Sequence, residues 1–115
     1  SAVSVGLIIN ELVTNAVKYA FPGVTTTYIR LTGTRDEGTY RLTMAHNGVP
    51  MPQRIDLSDP ATLGLGLKLV VTLVEQLDGT IEHRDEGVAE GADQNRGGAA
   101  DHGGETVFTV TIPVG

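Results

Sequence analysis

Ile9-Asn10-Glu11-Leu12-Val13-Thr14-Asn15-Ala16-Val17-Lys18-Tyr19-Ala20-Phe21-Pro22 is the stretch whose reading decides the architecture. At about 100° per residue, Val5, Ile9, Leu12, Val13, Ala16 and Ala20 fall on one side of a helix, a face suited to a core. The helix is predicted from about Ser4 to Ala20. Phe21-Pro22-Gly23 stops it, because proline disfavours helix in the residue before it and glycine permits the turn. Glu11 and Asn15 lie one turn apart with Lys18 three residues on, so the three form a narrow polar stripe at the border of the apolar face. A carboxylate, a carboxamide and an ammonium in line suit a metal–phosphate ligand: an amide oxygen for a hard cation, a carboxylate to orient or deprotonate, a cation for phosphate charge. The same three residues are equally what an ordinary solvated helix flank carries.

Outward from this helix, Thr26 to Thr32 has the β-branched and aromatic composition of a strand. Arg35-Asp36-Glu37-Gly38 reads as a hairpin turn. Thr39 to Ala45 alternates Tyr40, Leu42 and Met44 with Arg41, Thr43 and Ala45, a half-buried strand pairing antiparallel with the first. His46 to Asp59, with Asn47-Gly48, Pro50 and Pro52, reads as loop. A second helix begins near Gly64 or Gly66, carries Leu67, Val70, Val71, Val74 and Leu77 at helical spacing, and stops at Asp78-Gly79. Thr80 to Arg84 and Glu105 to Ile112 are strands, the second presenting Phe108, Val110 and Ile112 on one face. Helix, hairpin, loop, helix, hairpin is an α+β order: a two-layer sandwich with its helices on one face of a mixed, mostly antiparallel sheet.

The 115 residues allow one domain, 1–115, with a single modest core. There is no cysteine, hence no disulfide framework or thiolate metal site, and no apolar run long enough to span a membrane. The net charge of −6 argues against a general nucleic-acid surface. Much of it is local. The segment 85–104 holds Asp85, Glu86, Glu90, Asp93 and Asp101 against Arg96, with six glycines and Val88 as its one sizeable apolar residue. Such a composition cannot offset its ordering entropy by burial, which predicts a flexible insert that folding does not need.

Two further elements bear on chemistry. In Met44-Ala45-His46-Asn47-Gly48-Val49-Pro50 a strand ends in a turn whose glycine lets backbone approach a planar ligand. In Thr62-Leu63-Gly64-Leu65-Gly66-Leu67-Lys68 two glycines precede an amphipathic helix, whose unpaired amides and dipole attract an anion. Alone, the first is also an ordinary turn, the second a pliable helix start, and Lys68 a snorkelling surface lysine.

In order and spacing these elements resemble the GHKL ATPase superfamily (histidine kinases, gyrase B, Hsp90, MutL). Leu7 to Pro22 is similar to its N box, and the ending Asn-Ala-x-Lys-Tyr-Ala-Phe-Pro to the HisKA_2/HWE-like subgroup of sensor histidine kinases. His46-Asn47-Gly48-Val49-Pro50 occupies the place of the G1 box, and Gly64-Leu65-Gly66-Leu67 looks like the G2 box. Leu77 to Ile81 and Gly104 to Pro113 match the closing segments. The resemblance implies a Bergerat fold lacking its N-terminal strand and helix, with ATP and Mg2+ as ligands. It implies Glu11 as the catalytic carboxylate and Asn15 as the magnesium ligand. Lys18, Tyr19, His46, Gly48, Gly64, Gly66 and Leu67 complete the nucleotide site, beneath a short lid from Gln53 to Leu63.

The implied reaction is transfer of the ATP γ-phosphoryl group to a histidine on a separate dimerisation domain of the same kinase, and onward to a response regulator. The implied setting is cytoplasmic, with no membrane insertion by this chain. His46 stands where the G1 box has an aspartate that accepts the adenine amino group, and an imidazole offers at most one acceptor nitrogen in place of two carboxylate oxygens. Pro50 replaces the second G1 glycine. Those departures set two alternatives beside the kinase reading: a degenerate pseudo-kinase docking module of a phosphorelay, and an anti-sigma-factor-type serine kinase on the same fold.

Overall fold

The computed structural model describes residues 2–23, 26–49, 55–86 and 104–113. The first helix, α1, spans Ala2–Asn15 and continues as one π-helical turn over Ala16–Ala20, closed by the Phe21 amide donating to the Ala16 carbonyl at 3.0 Å. Its buried stripe is Ile8, Leu12, Ala16 and Ala20, with Val5 and Ile9 partly buried beside them. Ile8, which the predicted stripe left out, is among the most buried residues, because it lies one turn before Leu12 on the same face of the helix.

Strands β1 (Ile29–Asp36) and β2 (Thr39–His46) form a hairpin whose loop is Glu37-Gly38 alone. Both loop residues have positive φ, 44° and 84°, the geometry of a type I′ turn that matches the strands' twist. So tight a turn keeps Arg35 and Asp36 paired with Tyr40 and Thr39. The first strand therefore runs later than the predicted Thr26–Thr32. Thr26 to Tyr28 lies outside it and is held by Asn47, which accepts from the Tyr28 amide at 2.9 Å and donates to the Thr26 carbonyl at 2.6 Å.

A short 3-10 turn at Pro60–Thr62, capped by Asp59, leads to α2 (Leu65–Gln76). The end of α2 is a Schellman motif: the Gly79 amide donates to the Val74 carbonyl at 2.9 Å and the Asp78 amide to the Glu75 carbonyl at 3.0 Å, with Asp78 left-handed at φ 59°. Gly79 then passes so close to the next strand but one that a Cβ there would sit 2.4 Å from the Thr111 carbonyl oxygen. Strand β3 (Thr80–Glu86) extends two residues past the predicted end, and β4 is Glu105–Pro113. The predicted insert 85–104 therefore gives Asp85 and Glu86 to β3; the rest, up to residue 103, lies outside the described residues.

The sheet order is β1-β2-β4-β3, and every described pair is antiparallel. Both helices cover the face that carries Leu42, Met44, Phe108, Val110 and Ile112, and pack there with Leu12, Val70 and Val74. Each such side chain taken fully from water contributes about 1.5–3 kcal/mol. The other face is polar apart from Ala45 and Val107, which are buried. There Arg30 crosses from β1 to make a two-pronged ion pair with Glu105 of β4 at 2.8 and 2.9 Å, and the Tyr28 hydroxyl donates to the same carboxylate. The Arg30 guanidinium, then the Tyr28 hydroxyl, hold the Glu105 carboxyl below its usual range; the Glu105 carboxylate in turn raises both Tyr28 and Arg30.

Candidate functional site

The polar flank of α1 meets the first turn of α2. Glu11, Thr14, Asn15 and Lys18 from one helix, with Leu65, Gly66 and Leu69 from the other, line a cleft of about 290 Å³. The cleft exists because the helices pack through the stripes that flank it, Leu12 and Ile8 against Leu67 and Val70, leaving the border residues of each helix to face each other. Glu11 and Asn15 are half-buried and Lys18 is exposed. Among the described residues, neither Glu11 nor Lys18 is engaged in an ion pair.

Gly66 is what makes the approach possible. A Cβ built on it would stand 2.9 Å from Glu11 Oε1, inside van der Waals contact. The carboxylate thus lies directly over the start of α2. The first intrahelical bond runs from the Lys68 amide to the Gly64 carbonyl at 3.0 Å, so the amides of Leu65, Gly66 and Leu67 precede the hydrogen-bonded ladder. Gly64 caps the helix in extended conformation with no side-chain bond, and open space surrounds its Cα. The cleft therefore has donors and partial positive charge at its α2 end, a cation in Lys18, and a carboxylate and a carboxamide oxygen between them. That set can hold a polyanion and share one hard cation with it.

The structure brings Glu11, Asn15, Lys18 and Gly66 together. Gly64 and Leu67 stand at the same helix start, Leu67 with its side chain in the core and only its amide turned to this chemistry. The side chain of Tyr19 lies outside the described set, as do Pro50, Gln53 and Arg54 of the expected G1 and lid segments. Thr14, Leu65 and Leu69 line the cleft without having been singled out in the sequence. Thr14 had a legible signal, three residues from Glu11 on the same stripe, whereas Leu65, 85 % exposed, reads as a misplaced apolar residue until the cleft is seen.

His46 and Gly48 do not line this cleft; Gly48 packs just beyond it, against the C-terminal end of the same helix. Gly48 packs on Ala20 so tightly that a Cβ would meet the Ala20 carbonyl oxygen at 2.6 Å, and the Val49 amide donates to that carbonyl at 2.7 Å. His46 is 4 % exposed, edge-on to Phe21 at 5.8 Å and tilted over Phe108 at 6.5 Å. Its Nδ1 accepts from the Gly48 amide at 3.1 Å. Ala20 lies nine residues beyond Glu11, about 13 Å along the helix.

Comparison with known proteins gives a consistent picture. The model of the histidine kinase-, DNA gyrase B-, and HSP90-like ATPase family matches residues 1–115. No curated protein sequence matches the chain. Among solved structures, the histidine kinase domain of the Erythrobacter litoralis EL346 blue-light activated histidine kinase superposes with a TM-score of 0.72 at 23 % identity, over 96 % of this chain and 46 % of that one. The Acinetobacter baumannii histidine kinase AdeS gives 0.65 at 20 % identity, over 96 % and 46 %. The catalytic domain of histidine kinase ThkA gives 0.67 at 19 % identity, over 98 % and 68 %. At these identities the superpositions establish the fold, and the chain spans about half the length of the first two structures.

Proposed function

Because the chain belongs to the histidine kinase-, DNA gyrase B-, and HSP90-like ATPase family, we propose that it is the ATP-binding catalytic domain of a sensor histidine kinase. The observation that carries this reading is the convergence of Glu11, Asn15 and Lys18 on the glycine-opened start of α2 in one cleft. The triphosphate lies along that cleft, its charge met by Lys18 and by the amides of Leu65, Gly66 and Leu67. The base lies toward the turn formed by His46, Asn47 and Gly48, beside the π-helical turn that follows α1.

Among the described residues no cluster of three or more His, Cys, Asp or Glu side chains could cage a metal. Magnesium needs no such cage, since it keeps one or two protein oxygens and completes its shell with phosphates and water. The Asn15 carboxamide oxygen, with Glu11 nearby, fits that demand. A magnesium ion held there would neutralise phosphate charge.

The reaction is attack of a histidine nitrogen, supplied by a dimerisation domain outside this chain, on the γ-phosphorus of ATP. The bond to the β-phosphate oxygen breaks and ADP leaves. A response regulator then takes the phosphoryl group from that histidine. Since phosphoryl transfer leaves little covalent chemistry to the protein, the work of this domain is to position and to stabilise charge. Glu11, over the phosphate end, orients the incoming imidazole and accepts its proton.

The test is calorimetric titration with a non-hydrolysable ATP analogue, with and without magnesium, on the wild-type chain and Asn15→Ala. The wild type should bind more tightly with the metal, and the variant should lose that difference while keeping its melting temperature. Equal metal dependence in both removes Asn15 from the site. No binding by the wild type leaves a docking module in place of a kinase domain.

A further inference from the structure

The base-side turn contains a hydrogen bond that decides what His46 can do. Its Nδ1 accepts from the backbone amide of Gly48, two residues ahead, at 3.1 Å. This is the i to i+2 pattern in which aspartate and asparagine close a turn on their own backbone. The imidazole has taken over that local task. The bond is buried and sits at the joint where Gly48 and Val49 pack against Ala20, so turn and helix end are held together through it.

A neutral imidazole has one acceptor nitrogen and one N–H, and an imidazolium has two donors. With Nδ1 occupied by the Gly48 amide, Nε2 carries the proton, and protonation of the ring would remove the bond without creating an acceptor. In neither state can His46 accept a hydrogen bond from an exocyclic amino group while it holds the turn. A carboxylate at this position could do both, one oxygen for the amide and the other for the base.

We infer that the base site of this chain does not read the purine 6-amino group: His46 is a positioning residue for the G1 turn, and the chain binds purine nucleoside triphosphates with or without that group about equally well. This rests on the nucleotide reading above and narrows its substrate class. Selectivity then resides at the phosphate end, with Lys18 and the start of α2, rather than at the base edge.

The clean probe is purine riboside triphosphate, which is ATP lacking only the 6-amino group. Titrated against the wild-type chain with magnesium, the two ligands should agree within about 3-fold. In His46→Asp, ATP should win by at least about 10-fold, the factor that a charge-assisted hydrogen bond supplies. His46→Asn keeps a turn-closing oxygen but adds no second acceptor, so it should remain indifferent. Nitrogen NMR of the wild-type histidines should find His46 as the Nε2–H tautomer. A wild-type preference for ATP of 10-fold or more, or an Nδ1–H tautomer, overturns the inference while leaving nucleotide binding intact. Binding of neither triphosphate by the wild type overturns the nucleotide reading itself, and this inference with it. The wild-type comparison and the tautomer need no variant to fold.

Discussion

Replacing Gly66 with alanine should separate stability from binding in opposite directions. Gly66 lies in the first turn of α2 with ordinary helical backbone, so alanine meets no conformational strain there. By reducing the freedom of the unfolded chain, the change should stabilise the fold by about 0.5–1 kcal/mol. In a domain of this size that raises the melting temperature by roughly 2–8 °C. The new methyl group, however, would arrive 2.9 Å from Glu11 Oε1. What it meets is the end of a half-exposed side chain, which can rotate away at little cost to folding. It cannot do so without leaving its place over the start of α2. The methyl also enters a cleft of about 290 Å³ beside the amides assigned to phosphate. Nucleotide affinity should fall by at least about 10-fold, or about 1.4 kcal/mol. Thermal melting and calorimetric titration, run on the same preparations, read the two effects. A Glu11→Ala background should absorb most of the binding loss, because the displaced group is then already gone. A lower melting temperature would mean that Gly66 is needed by the backbone, and unchanged affinity would mean that the cleft does not hold phosphate; either result refutes the argument.

Other positions give sharper stability contrasts. Gly79→Ala should destabilise by about 1–3 kcal/mol in denaturant titration, since its Cβ meets the Thr111 carbonyl, a backbone atom that cannot turn aside. Glu37→Asn should stabilise by about 0.5–1 kcal/mol, because asparagine tolerates the left-handed conformation that Glu37 adopts at φ 44° in the hairpin loop. Glu105 carries a pH dependence. Its carboxyl is held low by Arg30 and then Tyr28, so its contribution is complete above the unfolded value, near 4.5, and is lost as pH falls through the lower folded value. Unfolding titrations of wild type and Glu105→Gln should differ at neutral pH and converge in strong acid; a gap that persists there would assign the effect to packing instead of charge.

Periodicity made the two helices and the two hairpins legible, because apolar spacing of 3.6 and of 2 reports directly which face meets a core. Boundaries were less so. Composition starts the first strand early, at Thr26, because Thr26 to Tyr28 is strand-like, whereas the pairing of β1 is fixed by a two-residue turn whose first member, Glu37, is not a residue that announces positive φ. The π turn at Ala16–Ala20 has no sequence signature: neither propensity nor pattern marks it. Of the candidate cleft, Glu11, Asn15, Lys18 and Gly66 were legible from charge and glycine spacing. The bond from the Gly48 amide to His46 was not, since it depends on a ring orientation that composition does not encode.

The chain is a helix–hairpin unit followed by a second helix–hairpin unit. Among the described residues the two meet most extensively where β2 lies beside β4 and where α1 rests on α2. The cleft opens on the helical part of that junction and draws residues from both units. A nucleotide bound there would act as a removable rivet between two halves of the molecule. Occupancy would stabilise the closed junction by RT ln(1 + [L]/Kd) and slow every opening that separates the helices. The amides protected on binding would then extend well beyond those that touch the ligand, along α1 and α2 and into the paired central strands. Release after phosphoryl transfer would loosen the same line, so the turnover of ligand would be felt as a change in rigidity across the domain's midline.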